Sequence, residues 1–387
     1  MKTGDIMGEG DFAISGAPPA FGKMLPAGQR YFPSWERYTE AFRGIFERQY
    51  YTEYGPLNRQ LEPGLQAFLG VKHAICVTNE TVGLMMVASA LELRGKVILP
   101  RNASLAAVQS VKWAGLEPVY CDVDMESQHI DAGKAAGLID SEVSAILGAH
   151  LWGGACDVPE LARIAESTGV QLYFDAAHAF GCAIDGIRIG RFGRAEVFSF
   201  HQDNIINAGE GGCICTNDDE LAARLRTMRS SAGVGKPVEV TRTVNGRMSE
   251  AQCALALLGL EDYAANRERN EMLHRAYATR FAAIPGLHLL APGGVSASCY
   301  QHAMCKVDEN GFGLSAGQLA LLLRAENIGT EIYADCIRLP LGALVSPDDA
   351  GRICDLLARA QRASLGASID AYKKGLADRL GSRGNDS

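Results

Sequence analysis

The chain lacks any apolar run approaching the roughly 18–20 residues that cross a bilayer, so no membrane span is expected. It lacks a long basic stretch, and 37 Lys and Arg against 45 Asp and Glu leave a formal charge of −8. Such a chain has no electrostatic footprint for a phosphate backbone, so no nucleic-acid partner is expected. The opening MKTGDIMGEGDF has no apolar core and does not read as a signal peptide, which makes a cytoplasmic protein the expectation. Repeats and low-complexity blocks are missing. No C-x-x-C pair occurs among the eleven cysteines, an odd number that reads as reduced thiols. Cys213 and Cys215 form the one close pair. In a strand they share a face, and they are read as structural, with no metal expected. Lysine is also scarce in one long stretch: Lys236 is the only one between Ala177 and Val295.

What is present suits a soluble enzyme. The 387 residues are 47% hydrophobic and 21% charged, enough for one large domain and a smaller one. Helix-like and strand-like runs alternate through the first two thirds. Leu61 to Gly70 reads as a helix before the strand of GVKHAICVTNE. Thr81 to Leu93 reads as a helix before LRGKVILP, and Ala106 to Ala114 as a helix before LEPVYCDVD. SEVSAILGAHLWG, VQLYFDAAHAFG, AEVFSFHQDN and GGCICTND supply further strands. Alternation of this kind predicts a mostly parallel sheet covered by helices on both faces. From about Ser249 a long helical pattern, one helix or two, leads to LHLLAP and CYQHAMCKVD, then to helix signals at Ser315–Glu326 and Ser346–Leu365. The predicted partition is an N-terminal arm (1–30), a large domain (31–255), a small α+β domain (256–370) and a flexible polar tail (371–387).

Several segments, taken in order, resemble the DegT/StrS family of fold-type-I sugar aminotransferases and dehydratases, which use pyridoxal phosphate (PLP) or pyridoxamine phosphate (PMP). They are AISGAPP, TNETVGL, EPVYCDVD, AHLWGGACDVPEL, the block FDAAHAFG…AEVFSFHQDNIINAGEGGCICTND, and VNGRMSEAQCALALLGL. The resemblance covers roughly residues 12 to 365. It implies an α/β, PLP-transferase-like large domain with a mostly parallel sheet, a small C-terminal α+β domain, and a homodimer.

The resemblance also implies roles for individual residues. Asp175 would pair with the protonated pyridine nitrogen and make the ring an electron sink. His178 matches the position at the ring's phenolic oxygen. Glu80 and Thr81 stand at a strand-to-helix turn whose backbone N–H groups would hold phosphate, helped by the Ser199 hydroxyl. Asn245 would reach the neighbouring subunit's phosphate site, with Arg247 beside it. Arg247 and Tyr333 are the substrate candidates.

Four features depart from the family pattern. Asn204 stands where the family has the lysine that forms the aldimine and carries the proton, and an amide does neither. Glu80 brings bulk and negative charge where the family has glycine. Ser104 replaces the aromatic that stacks on the pyridine, leaving Leu105 as an apolar lid. GTEIYADCIRLPLGAL shortens a substrate-facing segment, with Tyr333 as its remnant. His178 or His201 would have to serve as base. Asp203, next to Asn204, would point to the opposite face of an extended segment. Lys236 sits in a glycine-rich loop and carries little weight as a replacement.

Three functions therefore stay open. One is a PLP- or PMP-dependent enzyme acting on a keto sugar or similar polyol ketone with the cofactor held noncovalently, in dehydratase-like or altered chemistry. Another is a conventional sugar aminotransferase whose lysine has been exchanged for Asn204. The third is a noncatalytic or differently reacting scaffold of the same fold.

Overall fold

A computed structural model describes residues 11–52, 54–230, 238–363 and 365–383. The chain divides into two units. One comprises Arg30–Arg267 and Ala291–Gln301; the other comprises Glu268–Leu290, His302 onward and the described residues before Arg30.

The first unit is built on strands β1 (His73–Val77), β2 (Lys96–Pro100), β3 (Glu117–Cys121), β4 (Val143–Ala149) and β5 (Gln171–Asp175). A short hairpin follows, β6 (Ala183–Ile184) and β7 (Ile187–Arg188), then β8 (Glu196–Ser199) and β9 (Gly212–Thr216). Seven of these form one sheet in the order β1-β9-β8-β5-β4-β2-β3. Only β9 runs against the rest. The helices are α1 (Trp35–Arg48), α2 (Asn58–Leu69), α3 (Glu80–Ala90), α4 (Leu105–Trp113), α5 (Ala132–Gly137), α6 (Val158–Thr168), α7 (Asp219–Arg229), α8 (Glu250–Glu261) and the start of α9 (Tyr263–Phe281).

Strand alternation accounts for the two buried faces. On β1, Ala74 and Cys76 pack with Leu61 and Leu65 of α2, whereas Ile75 and Val77 pack with Leu84 and Val87 of α3. On β9, Cys213 and Cys215 join the α2 side and Ile214 the α3 side. The two thiols lie 3.8 Å apart and are buried, and among the described residues no group of three His, Cys, Asp or Glu could hold a metal. A buried ion pair bolts this edge. Glu62 of α2 accepts from Arg229 of α7 (2.6 Å) and from the Cys76 N–H (3.1 Å), and Arg229 donates to the Cys76 carbonyl (2.8 Å).

Because all but β9 are parallel, the carboxyl ends of β1, β2, β5 and β8 open on one edge. In such sheets ligands bind outside those carboxyl ends. Asn79 caps α3 there by accepting the Val82 N–H, and Ser104 caps α4 by accepting the Ala107 N–H.

The second unit has an antiparallel sheet of β10 (Leu287–Leu289), β11 (Ala303–Val307), β12 (Glu331–Tyr333) and β13 (Cys336–Leu339), ordered β10-β11-β13-β12. With it are the rest of α9, α10 (Glu309–Phe312), α11 (Ala316–Ala325), α12 (Pro347–Arg362) and α13 (Gly366–Arg383).

The partition differs from the sequence expectation in three places. The units part at Arg267/Glu268, within α9, rather than at 255/256. α8 stays in the first unit, where its buried Glu250 accepts the N–H groups of Leu57 and Asn58. The N-terminal segment is no free arm. Ala13 and Ala20 N–H both reach the Glu326 carboxylate at 2.7 Å, and Phe12, Ile14 and Phe21 join the second unit's core. The segment expected as a flexible tail is helical from Ala371 through Arg383, and Tyr372 packs against the same core. No helix among the described residues is long and apolar enough to cross a membrane.

Candidate active site

Asp175 is the last residue of β5 and is 4% exposed. Its Oδ1 accepts the Ala177 N–H and its Oδ2 accepts the Ser104 hydroxyl, both at 3.1 Å. Ser104 thus does two jobs from the end of β2, capping α4 and holding Asp175.

Glu80 is the first residue of α3. As a residue it is half-buried, but its Oε1 is shut off from solvent and has no hydrogen-bond partner among the described residues. Burial pushes the Glu80 carboxyl well above the usual carboxylate range. The charge and carboxyl of Asp175 push it further, and Ser199 pulls it partly back. Burial also raises Asp175, but the Ala177 N–H, Ser104, Glu80 and His150 favour its anion. Of the two, Glu80, the member with fewer donors, is pushed up further. Gly212 lets these elements close up. A Cβ there would lie 2.7 Å from the Phe198 carbonyl and 3.0 Å from the Glu80 nitrogen.

Asn204 lies in the loop between β8 and β9 and is 6% exposed. Its amide is used at both ends. Nδ2 donates to the Ser199 carbonyl (2.9 Å), and Oδ1 accepts from Gln301 Nε2 (2.8 Å). Gln301 also donates to the Asp203 carbonyl (3.1 Å) and accepts the Ile205 N–H (3.1 Å), so one side chain clamps three consecutive residues. Arg30 adds an ion pair to Asp203 at 3.5 Å.

Structure brings together Glu80, Ser104, Asp175, Ser199 and Asn204. Thr81 is the second residue of α3, half-buried behind Glu80. His178 is half-buried in the turn after β5, where its carbonyl accepts from the Cys299 thiol (3.5 Å). His201 follows β8; its N–H meets the Ser199 hydroxyl and its Nδ1 accepts the Asp203 N–H, both at 3.3 Å. Its ring is partly exposed, 3.9 Å from Glu210. Asn245 is exposed and accepts from Arg247 Nε at 3.0 Å. Between them Gly246 accepts the Thr78 N–H (2.8 Å), tying this segment to the end of β1. Tyr333 lies on β12 of the second unit, its hydroxyl on Glu331 (2.9 Å). Lys236 falls outside the described residues.

Sequence reasoning missed Gln301 altogether, and no local motif marks it. It also missed the Ser104–Asp175 bond, although a serine directly before an apolar helical run signals a cap.

These features place the chain among fold-type-I enzymes of the PLP class. The model of the DegT/DnrJ/EryC1/StrS aminotransferase family matches residues 35–343, and the chain belongs to that family. The dTDP-4-amino-4,6-dideoxy-D-glucose transaminase of Escherichia coli is 29% identical over 317 residues, 80% of this chain and 84% of the relative. A crystal structure of DesI in the presence of its TDP-sugar product matches with a TM-score of 0.87 and 31% identity, covering 94% of this chain and 99% of that one. Helicobacter pylori PseC, an aminotransferase involved in the biosynthesis of pseudoaminic acid, shares the fold at a TM-score of 0.80 and 22% identity, over 87% of this chain and 99% of its own.

The family and these neighbours depend on PLP or PMP, so the fit of that group is a direct question. Asp175 is buried at the end of β5 and accepts from Ala177 and Ser104, donors that favour its anion. The rest does not fit. At the first residue of α3 the Glu80 carboxyl, with Oε1 shut off from solvent, takes up space beside the N–H groups that would hold a phosphate. The Asn204 side chain is engaged at both ends and offers no amine.

Proposed function

We propose that this chain handles a keto sugar or an amino sugar, carried on a nucleotide as in its relatives, within amino-sugar, deoxy-sugar or natural-product biosynthesis. It does so without a covalent lysine link. The observation that carries this reading is Asn204, whose amide is bound by Ser199 and Gln301 and serves as a structural peg in the β8–β9 loop. Substrate class rests on the relatives: the E. coli enzyme is named for a dTDP-amino sugar, and DesI was crystallised with a TDP-sugar.

A second reading keeps PLP or PMP, held noncovalently, for dehydration of a keto sugar. Asp175, buried at the end of β5, favours it. In that reading His178 or His201 is the base, Thr81 and Ser199 face phosphate, and Arg247 and Tyr333 face substrate.

We extend the proposal to a homodimer in which Asn245 serves the neighbouring subunit. Phe32, Trp35, Phe46 and Tyr51 support it as exposed aromatics in one stretch of the chain, Trp35 at 70% exposure. Light scattering at micromolar concentration tests the dimer, and a monomer would refute it. Calorimetric titration with TDP and with a TDP-linked 4-keto or 4-amino sugar tests the ligand class. Saturable binding that needs the sugar as well as TDP is expected; no binding of either TDP-sugar overturns the reading.

A further inference from the structure

We propose that Glu80 replaces the cofactor in this pocket: its carboxyl, lodged against Asp175 and facing Ser199, excludes PLP and PMP from the folded chain. The inference rests on the family reading above for the pocket's identity, and it decides between the two forms of that reading.

Three observations converge. Glu80 enters the pocket from the first position of α3, where the helix N-terminus would otherwise present bare backbone N–H groups to a phosphate. A glycine there would leave the cradle open. The glutamate fills it with a side chain whose Oε1 is already removed from water. Asp175, the partner a pyridinium requires, already accepts one donor on each oxygen, from Ser104 and Ala177. The charges that act on Glu80, from Asp175 and Glu210, are both acidic. A phosphate dianion entering here meets no compensating cation among them. If Glu80 ionises to leave room, the phosphate faces a cluster of like charge. If Glu80 stays neutral, it occupies the space. Either way cofactor and side chain exclude each other.

Equilibrium dialysis and thermal shift with PLP and with PMP test this on the wild type, Glu80→Gly and Glu80→Gln. The wild type should show no saturable binding and no shift in melting midpoint. Glu80→Gly should bind PMP at least tenfold more tightly than the wild type. Glu80→Gln, which keeps the bulk and loses the charge, should gain less. Circular dichroism checks folding, and Glu80→Ala substitutes if the glycine variant fails to fold. Saturable PMP binding by the wild type, not improved in Glu80→Gly, overturns the proposal. So does a folded Glu80→Gly and Glu80→Ala pair that binds neither compound, because the excluding group then lies elsewhere. The TDP-sugar titration on the wild type reports separately on the proposed function, so either idea can fail alone.

Discussion

Replacing Asn204 with lysine should damage the loop without restoring a covalent link to PLP. The wild-type amide makes two buried neutral hydrogen bonds, to the Ser199 carbonyl and from Gln301. Each is worth about 0.5–1.5 kcal/mol. A lysine still has a donor for the Ser199 carbonyl but no acceptor for Gln301, whose Nε2 keeps only the Asp203 carbonyl. The position is also 6% exposed, so an ammonium there must shed its proton or drag in water. Together these costs come to about 2–4 kcal/mol. Denaturant unfolding reads this as a lower midpoint at unchanged slope. Added PLP should give no imine absorbance in Asn204→Lys alone, because Glu80 still fills the pocket; the Glu80→Gly/Asn204→Lys double variant should give one. Two results would refute the reasoning. One is an Asn204→Lys variant as stable as wild type. The other is an imine band that forms with Glu80 in place.

Gln301→Ala should cost about 2–4 kcal/mol, since it strands the buried Ile205 N–H and the Asn204 carbonyl oxygen together; a loss within 0.5 kcal/mol (about the spread of ordinary surface substitutions) would show that the clamp is not structural. Glu62→Ala leaves the Arg229 guanidinium buried without its carboxylate and should destabilise by about 3–5 kcal/mol in denaturant melts, unless the pair is dispensable. Glu80 is an acid whose folded pKa is raised, so the native state holds more protons than the unfolded chain above the ordinary carboxyl value of 4.5. Its contribution is therefore complete below that pH and is lost as pH rises, with Asp175, Glu210 and Ser199 as the groups facing it. Glu80→Gln should gain stability relative to wild type as pH is raised from 5 to 8, and parallel pH–stability curves would contradict the assignment. Glu326→Ala removes the acceptor of the Ala13 and Ala20 N–H groups, and limited proteolysis should then cut within residues 11–29 first; unchanged protection would mean Phe12, Ile14 and Phe21 suffice to hold the segment.

The sheet was readable from sequence because its parallel strands are short, mostly apolar runs between helical patterns, β2 ended by Pro100 and β5 by Asp175. VSAILGA and QLYFD are buried along most of their length, as strands covered on both faces must be. The site was partly readable. Asp175, Ser199 and Asn204 keep their spacing, and the structure gathers them at the carboxyl edge of the sheet. What could not be read was direction and partnership. Glu80 reads from sequence as bulk and negative charge at a strand-to-helix turn, with no sign of what it meets. Only the fold turns its carboxyl inward onto Asp175. Ser104 looked like the loss of an aromatic, and proved to be a ligand of Asp175. Gln301 is a glutamine in a loop of the returning segment, and nothing local hints that it grips residues near 204. The helix in the expected tail was not foreseen because polar composition hides Tyr372, a single contact that packing finds and averages do not.

The clamp on the β8–β9 loop spans 97 residues of sequence. A ribosome adding about 5–20 residues per second would finish the Asn204 loop roughly 5–20 s before Gln301 is even synthesised. During that interval the loop's Ile205 N–H and the Asn204 amide have no Gln301 to meet. Residues 268–290, which belong to the other unit, emerge in between. The large unit therefore cannot close its own pocket by folding in order from the N-terminus. Its last stitch arrives from a strand of chain that has already left once and come back.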